Sequence, residues 1–209
     1  MRRSFREVLS GYHAFREKYV LNDSIVMRQL SQYGQKPDIM VVSCCDARVD
    51  PALILQCDPG ELFVVRNVAN IVPHYEKDEA HHGTSAALEF GICFLEVGHL
   101  ILLGHSKCGG IQALLSSAYK NTNDFITNWV SIIKPEDECI IHSTDDYAKL
   151  ALHKSYSNCL TFPWIREQVV NQRLSIHLWF FDIEKGEILT YSEKTKSYIP
   201  LIDYIDSFS

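Results

Sequence analysis

The chain has 209 residues, 46% hydrophobic and 22% charged, with 20 Lys and Arg against 26 Asp and Glu for a formal net charge of −6. That length allows one domain with a sizeable core. The acidic balance excludes a basic field for nucleic acid, and no apolar run approaches a membrane span.

Met1-Arg-Arg-Ser-Phe-Arg-Glu7 carries basic residues with no apolar stretch behind them, so a secretory signal is not expected and a cytoplasmic location is. Seven cysteines, an odd count without a regular framework, fit a reducing compartment where cysteine serves as metal ligand or small core residue.

Phe5, Val8, Leu9, Tyr12 and Phe15, then Ile25, Met27 and Leu30, carry helical spacing, with a cap at Asn22-Asp23-Ser24. They predict an N-terminal helical arm over residues 1–33. Gly34-Gln-Lys-Pro37 breaks it and leads into a first strand over 38–43. A short helix is expected over 51–57, a turn at Asp58-Pro-Gly60 and a second strand over 61–66. A long helix follows over 79–96, with Gly83, Ser85, Ala86, Ala87 and Gly91 on a face that can pack closely. The third strand spans 99–104, and Gly109-Gly110 opens a helix over 111–119. Helical segments follow over 124–133 and 136–173, the second interrupted at Thr161-Phe-Pro163. Residues 174–182 and 188–191, around Glu184-Lys-Gly186, read as a β-hairpin. Apolar strands alternating with helices predict an α/β fold: a mostly parallel sheet of four to five strands flanked by helices, with the helical arm before it and the hairpin as an antiparallel edge. No repeat or linker divides the chain, so 1–209 reads as a single domain.

Two motifs follow predicted strands: Cys44-Cys45-Asp46-Ala47-Arg48 and His105-Ser106-Lys107-Cys108-Gly109-Gly110. Ligands of open parallel sheets bind beyond the carboxyl ends of the strands, where both motifs lie. Two thiols and an imidazole are the donor set of an open zinc site, whose fourth position stays free for water. In an extended segment Cys44 and Asp46 point to one side and Cys45 to the other, which selects Cys44 as ligand and Cys45 as a core thiol. Cys57, Cys93, Cys139 and Cys159 read as buried core cysteines. His74, His81 and His82 read as solvated loop and helix-start residues.

Cys44-x-Asp46-x-Arg48 with His105-x-x-Cys108-Gly109-Gly110 resembles the β-class carbonic anhydrases. Residues 59–70 (PGELFVVRNVAN), Asp124-Phe-Ile-x-x-Trp129 and residues 160–167 (LTFPWIRE) are similar to plant-type members, so the resemblance covers roughly 35 to 190. It implies a carbonic anhydrase, or carbonate dehydratase, a lyase in which zinc-bound hydroxide reversibly hydrates carbon dioxide to bicarbonate and a proton. One zinc per chain would be held by Cys44, His105 and Cys108. Asp46 would accept a hydrogen bond from the hydroxide or swing in as a fourth ligand, and Arg48 would hold it by a bidentate pair. Gln35 matches a donor to the bound oxyanion, Phe63 and Val68 an apolar wall, and Gly109 a backbone donor. Phe90 stands where plant-type members carry tyrosine, keeping the wall and losing a hydroxyl; Ala47 replaces a common serine. The family's pockets form between subunits, which implies a homodimer or a dimer-based tetramer. Hydrolysis of carbonyl sulfide or carbon disulfide, and a purely structural zinc protein, are the competing readings.

Overall fold

A computed structural model of the chain describes residues 3–21, 24–116, 125–134 and 143–206. Ser4 opens α1 (Phe5–Tyr19) with a capping box, its hydroxyl accepting the Glu7 N–H while the Glu7 carboxylate accepts the Ser4 N–H at 2.6 Å. No residue of α1 is buried; Phe5 is 78% exposed and Tyr12 63%. Helix α2 (Val26–Tyr33) follows, with Ile25 before its first turn; Asn22 and Asp23 of the expected cap lie outside the described residues.

Strand β1 (Ile39–Cys44) leads to α3 (Pro51–Ile54), capped by the Asp50 carboxylate. The helix is shorter than expected because Gln56 enters the left-handed region at φ +54°. Strand β2 (Leu62–Asn67) ends in a tight turn at Val68–Asn70. Helix α4 (Gly83–Glu89) starts four residues later than expected, because Asp78 takes the Ala80 N–H at 2.8 Å and contacts the His82 ring at 2.7 Å in a local turn. It runs into a π-helical turn at Phe90–Phe94. There Gly91 admits the sheet: a Cβ on it would lie 2.6 Å from the Met40 sulfur.

Strand β3 (His99–His105) is followed by α5 (Gly109–Leu115), α6 (Ile126–Ser131), α7 (Thr144–Cys159) and α8 (Pro163–Val170). The break between the last two falls at the expected proline; residues 117–124, 135–142 and Cys139 lie outside the described residues. Strands β4 (Ser175–Asp182), β5 (Glu187–Ser192) and β6 (Ser197–Pro200) precede α9 (Leu201–Asp206).

The strands form one six-stranded sheet in the order β2-β1-β3-β4-β5-β6, parallel through β4 and antiparallel beyond it. The fold class is the expected one. The sheet has one strand more, since β6 is only four residues long and ends at Pro200, too little for an alternation signal. The first arm of the hairpin also extends the parallel sheet, with Leu100 opposite Ile176 and Leu102 opposite Leu178.

Strands buried on both faces explain the unbroken apolar runs. Met40 and Val42 face the main core with Leu100, Leu102 and Leu152 of α7, while Val41, Ile101 and Leu103 face the other side. Cys44 continues the Met40–Val42 row to the strand end, which sets it at the edge of the main core.

Candidate metal centre

Among the described residues, one group of metal-ligating side chains converges: Cys44, His105 and Cys108, whose ligand atoms all lie within 4.8 Å of one another. Cys44 ends β1, His105 ends β3, and Cys108 immediately precedes α5. All three are buried, and the two sulfurs are 4.0 Å apart. The His105 ring is oriented from its other side: Nδ1 meets the Ser106 carbonyl oxygen at 2.9 Å and therefore carries the proton. That leaves Nε2 a bare acceptor, and it is buried without a hydrogen-bond partner. A buried unpartnered imidazole nitrogen beside two thiols is a donor set that a cation would complete.

The sulfurs are prepared for one. Backbone N–H groups of Asp46 and Ala69 favour the thiolate at Cys44, and those of Ile111 and Gly110 do so at Cys108. Donation from the Cys108 thiol pulls the Cys44 thiol well below the ordinary thiol range. The second ionisation is opposed by that same neighbour and by burial, which hold Cys108 far above the ordinary thiol range. A divalent cation between the sulfurs removes this opposition, so the donor set fits zinc.

Asp46 borders the group, its Oδ2 lying 4.0 Å from His105 Nε2. Arg48 grips it twice: Nε donates to Oδ1 at 2.9 Å and Nη2 to Oδ2 at 2.6 Å, with the Arg48 backbone N–H adding a bond to Oδ1 at 3.0 Å. These bonds hold the Asp46 carboxyl well below the usual carboxylate range. A depressed carboxyl contributes stability above its unfolded value of about 3.9 and loses that contribution only as pH falls through its lower folded value. Asp46 is therefore expected to stay ionised throughout neutral and mildly acidic pH. Carboxyl-carbon NMR should show no titration of Asp46 above about pH 3, whereas in Arg48→Ala its midpoint should rise toward the ordinary value of about 3.9.

Three residues that the sequence reading did not single out hold this corner together. Arg66, at the end of β2, donates Nε to the Cys44 carbonyl at 2.9 Å, Nη2 to the Asp46 carbonyl at 2.8 Å and Nη1 to Asp50 at 2.7 Å. Asn67 closes the next turn by exchanging side-chain bonds with the Ile71 backbone, at 2.7 and 2.8 Å. That turn carries Ala69 at φ +64°, which aims its N–H at Cys44. All three lie in the 59–70 segment that resembles plant-type members, but the residues themselves signal no more than a polar Arg-Asn pair closing an apolar strand.

Gly110 meets the same turn: a Cβ there would lie 2.7 Å from Val68 Cγ1 and 2.9 Å from Ala69 Cβ. Gly110→Ala should destabilise the fold by about 1–3 kcal/mol through overpacking. It should also weaken zinc retention, measured by thermal unfolding and metal content.

The other expected site residues fall into two sets. Val68 and Gly109 adjoin the metal-ligating group, Val68 following the Asn67 that pairs with Cys44 and Gly109 following Cys108. Gln35, Phe63 and Phe90 do not. Gln35 is exposed in the loop that enters β1 at Ile39, five residue steps or about 17 Å before the Cys44 end. Phe63 sits opposite Met40, four steps or about 13 Å back along β2. Its ring lies 5.8 Å from that of Phe90, which is 45% exposed and stacks on Phe94.

Cys45 is exposed rather than a core thiol: β1 ends at Cys44, so strand alternation no longer governs the next residue. Cys93 is also exposed and Cys57 half-buried, correcting their core reading; Cys159 is fully buried. Burial pushes the Cys159 thiol up to about 12. Iodoacetamide should leave it untouched in the folded protein and label it after denaturation, as read by mass spectrometry.

The family model for carbonic anhydrase matches residues 39–188. The chain is 35% identical over 191 residues to β carbonic anhydrase 3 of Arabidopsis thaliana, covering 86% of this chain and 73% of that protein. The solved β-carbonic anhydrase CcaA superposes with a TM-score of 0.81 at 30% identity, over 93% of this chain and 91% of that one. A tetrameric β-carbonic anhydrase of Sordaria macrospora superposes with a TM-score of 0.70 at 28% identity, over 88% and 92% of the two chains. With a Cys–His–Cys group at the carboxyl ends of two parallel strands, this chain belongs to the carbonic anhydrase family, in its β class, and is an enzyme of carbon dioxide hydration.

Proposed function

We propose that Cys44, His105 and Cys108 hold one zinc ion and that Asp46, clamped by Arg48, controls what occupies the ion's fourth position. The observation that carries this reading is the buried, unpartnered Nε2 of His105 facing two thiols beside an ionised carboxylate. When bound, zinc would supply an activated water for attack on the carbon of carbon dioxide, less strongly acidified by two thiolates and one imidazole than by three imidazoles.

The chain's own groups do the rest. The Ser106 carbonyl fixes the His105 tautomer so that Nε2 is free to bind metal. Both Asp46 oxygens are engaged by Arg48, which holds the carboxylate as an acceptor at a fixed place and leaves it unable to donate a proton. Val68 supplies an apolar edge, and Gly109 a backbone donor beside the site, for a small apolar substrate leaving as an anion. Gln35, Phe63 and Phe90 lie too far from their own site and complete the pocket of a second copy. The open apolar side of α1 and the exposed Phe90–Phe94 stack support such a homodimer, alone or paired into a tetramer. Among the described residues no helix is long and apolar enough to cross a membrane. The free cysteines suit a reducing, cytoplasmic setting.

Stopped-flow hydration of carbon dioxide, run beside carbonyl sulfide on samples of measured zinc content, tests this reading. Turnover of carbon dioxide that scales with zinc is expected. Sulfide release with negligible carbon dioxide turnover would reassign the substrate, and zinc without turnover of either gas would make the site structural.

A further inference from the structure

We propose that Asp145, in the first turn of α7, is a positioning residue of this site: by binding the Lys107 N–H it fixes the backbone of the residue whose carbonyl Arg48 rests on while clamping Asp46. The proposal rests on the reading of Asp46 and Arg48 given above.

Lys107 lies between His105 and Cys108, and its backbone is held at φ +54°, a region costly for a residue with a side chain. Its peptide groups are tied on both sides. The Lys107 N–H donates to Asp145 Oδ1 at 2.7 Å, a short bond to a carboxylate. The Lys107 carbonyl accepts from Arg48 Nη2 at 3.1 Å. That same Nη2 donates to Asp46 Oδ2 at 2.6 Å. One guanidinium nitrogen thus joins two motifs 59 residues apart, and its second acceptor is the carbonyl of the residue whose N–H Asp145 holds, one Cα away.

Alternative anchors for this peptide are weaker. The Lys107 ammonium meets Glu184 at 2.9 Å, but both side chains are more than 60% exposed and such a pair adds little. Asp145 stands on firmer ground, since Ala148, Ala151 and Leu152 bury α7 in the core. The helix start does not depend on it either, because Ser143 caps α7 by accepting the Asp146 N–H at 3.1 Å. An acid in a first turn ordinarily serves the helix dipole. Here its oxygen is spent on the neighbouring loop.

The test compares zinc-loaded wild type, Asp145→Ala and Asp145→Asn. Asparagine loses the charge and keeps an oxygen that can accept the Lys107 N–H, which separates the hydrogen bond from the dipole. Solvent exchange of the Arg48 Nε–H, followed by nitrogen-15 NMR, reads the clamp without reference to turnover. Exchange should rise at least about tenfold in Asp145→Ala, with kcat/KM for carbon dioxide falling by about tenfold at unchanged zinc content. Asp145→Asn should stay within about twofold of wild type in both. On an Arg48→Ala background, Asp145→Ala should cost no further activity, because the two act through one contact. Should Asp145→Ala not fold, Asp145→Ser, too short to reach the Lys107 N–H, takes its place. Unchanged Arg48 exchange in Asp145→Ala, or an activity loss that adds to that of Arg48→Ala, would overturn the proposal. A wild type inactive toward carbon dioxide would sink the functional reading instead, and the Arg48 exchange comparison would still decide the role of Asp145.

Discussion

Cys108→Ser is expected to leave zinc far below one ion per chain and to lower carbon dioxide hydration by at least about a thousandfold, since the ion is what activates the attacking water. The substitution is close to isosteric, so the cause is chemical rather than steric. A serine hydroxyl does not ionise near neutrality, and the site would keep one thiolate and one imidazole. Cys108 is buried against Cys44, with the Gly110 and Ile111 N–H groups turned toward its sulfur, and these donors would face a neutral oxygen instead. The protein itself should remain folded, because the main core is built from Met40, Val42, Leu100, Leu102, Leu152 and their neighbours. Cys45→Ser is the matched control: its side chain is exposed beside the same motif and should leave zinc content unchanged. Metal analysis and stopped-flow rates on the two variants read this contrast directly.

Asp46→Asn is expected to act in the opposite way, keeping zinc and losing about a hundredfold in kcat/KM. Asp46 stands outside the three-ligand group, so the ion does not depend on it for retention. What it supplies is an acceptor held ionised by two Arg48 donors. An amide offers one oxygen where the carboxylate offers two, and turns an N–H₂ toward a guanidinium that can only donate. Loss of zinc from Asp46→Asn would instead mean that the carboxylate is a structural ligand.

The central strands were legible because a parallel sheet buried on both faces leaves continuous apolar runs, as at Met40–Val42 and Leu100–Leu103. Each run ends in a motif whose donor spacing is informative by itself, and Cys44, His105 and Cys108 come together at those ends. Cys45 was misread because alternation holds only within a strand, and β1 stops one residue before it. Arg66 and Asp145 escaped notice for a different reason. Each acts on a backbone group far along the chain, Arg66 on Cys44 and Asp145 on Lys107, and no local pattern marks a side chain for a partner 22 or 38 residues away. The left-handed turn at Ala69 was equally silent, since nothing in Asn-Val-Ala-Asn announces a positive φ at the alanine. Gln35, Phe63 and Phe90 show the limit of matching residues to a pattern within one chain: Gln35 lies in the loop before β1, Phe63 four steps back along β2 and Phe90 beside Phe63, away from the strand ends where the same chain builds its site.

Zinc K-edge X-ray absorption of the loaded enzyme at alkaline pH tests the central claim most directly. Two sulfurs at about 2.3 Å, one imidazole nitrogen at about 2.0 Å and one further oxygen from solvent are predicted, with the spectrum losing one sulfur in any Cys44 or Cys108 variant that still holds metal. Three or more sulfurs, or a second imidazole, would contradict the assignment of Cys44, His105 and Cys108 as an open site governed by Asp46.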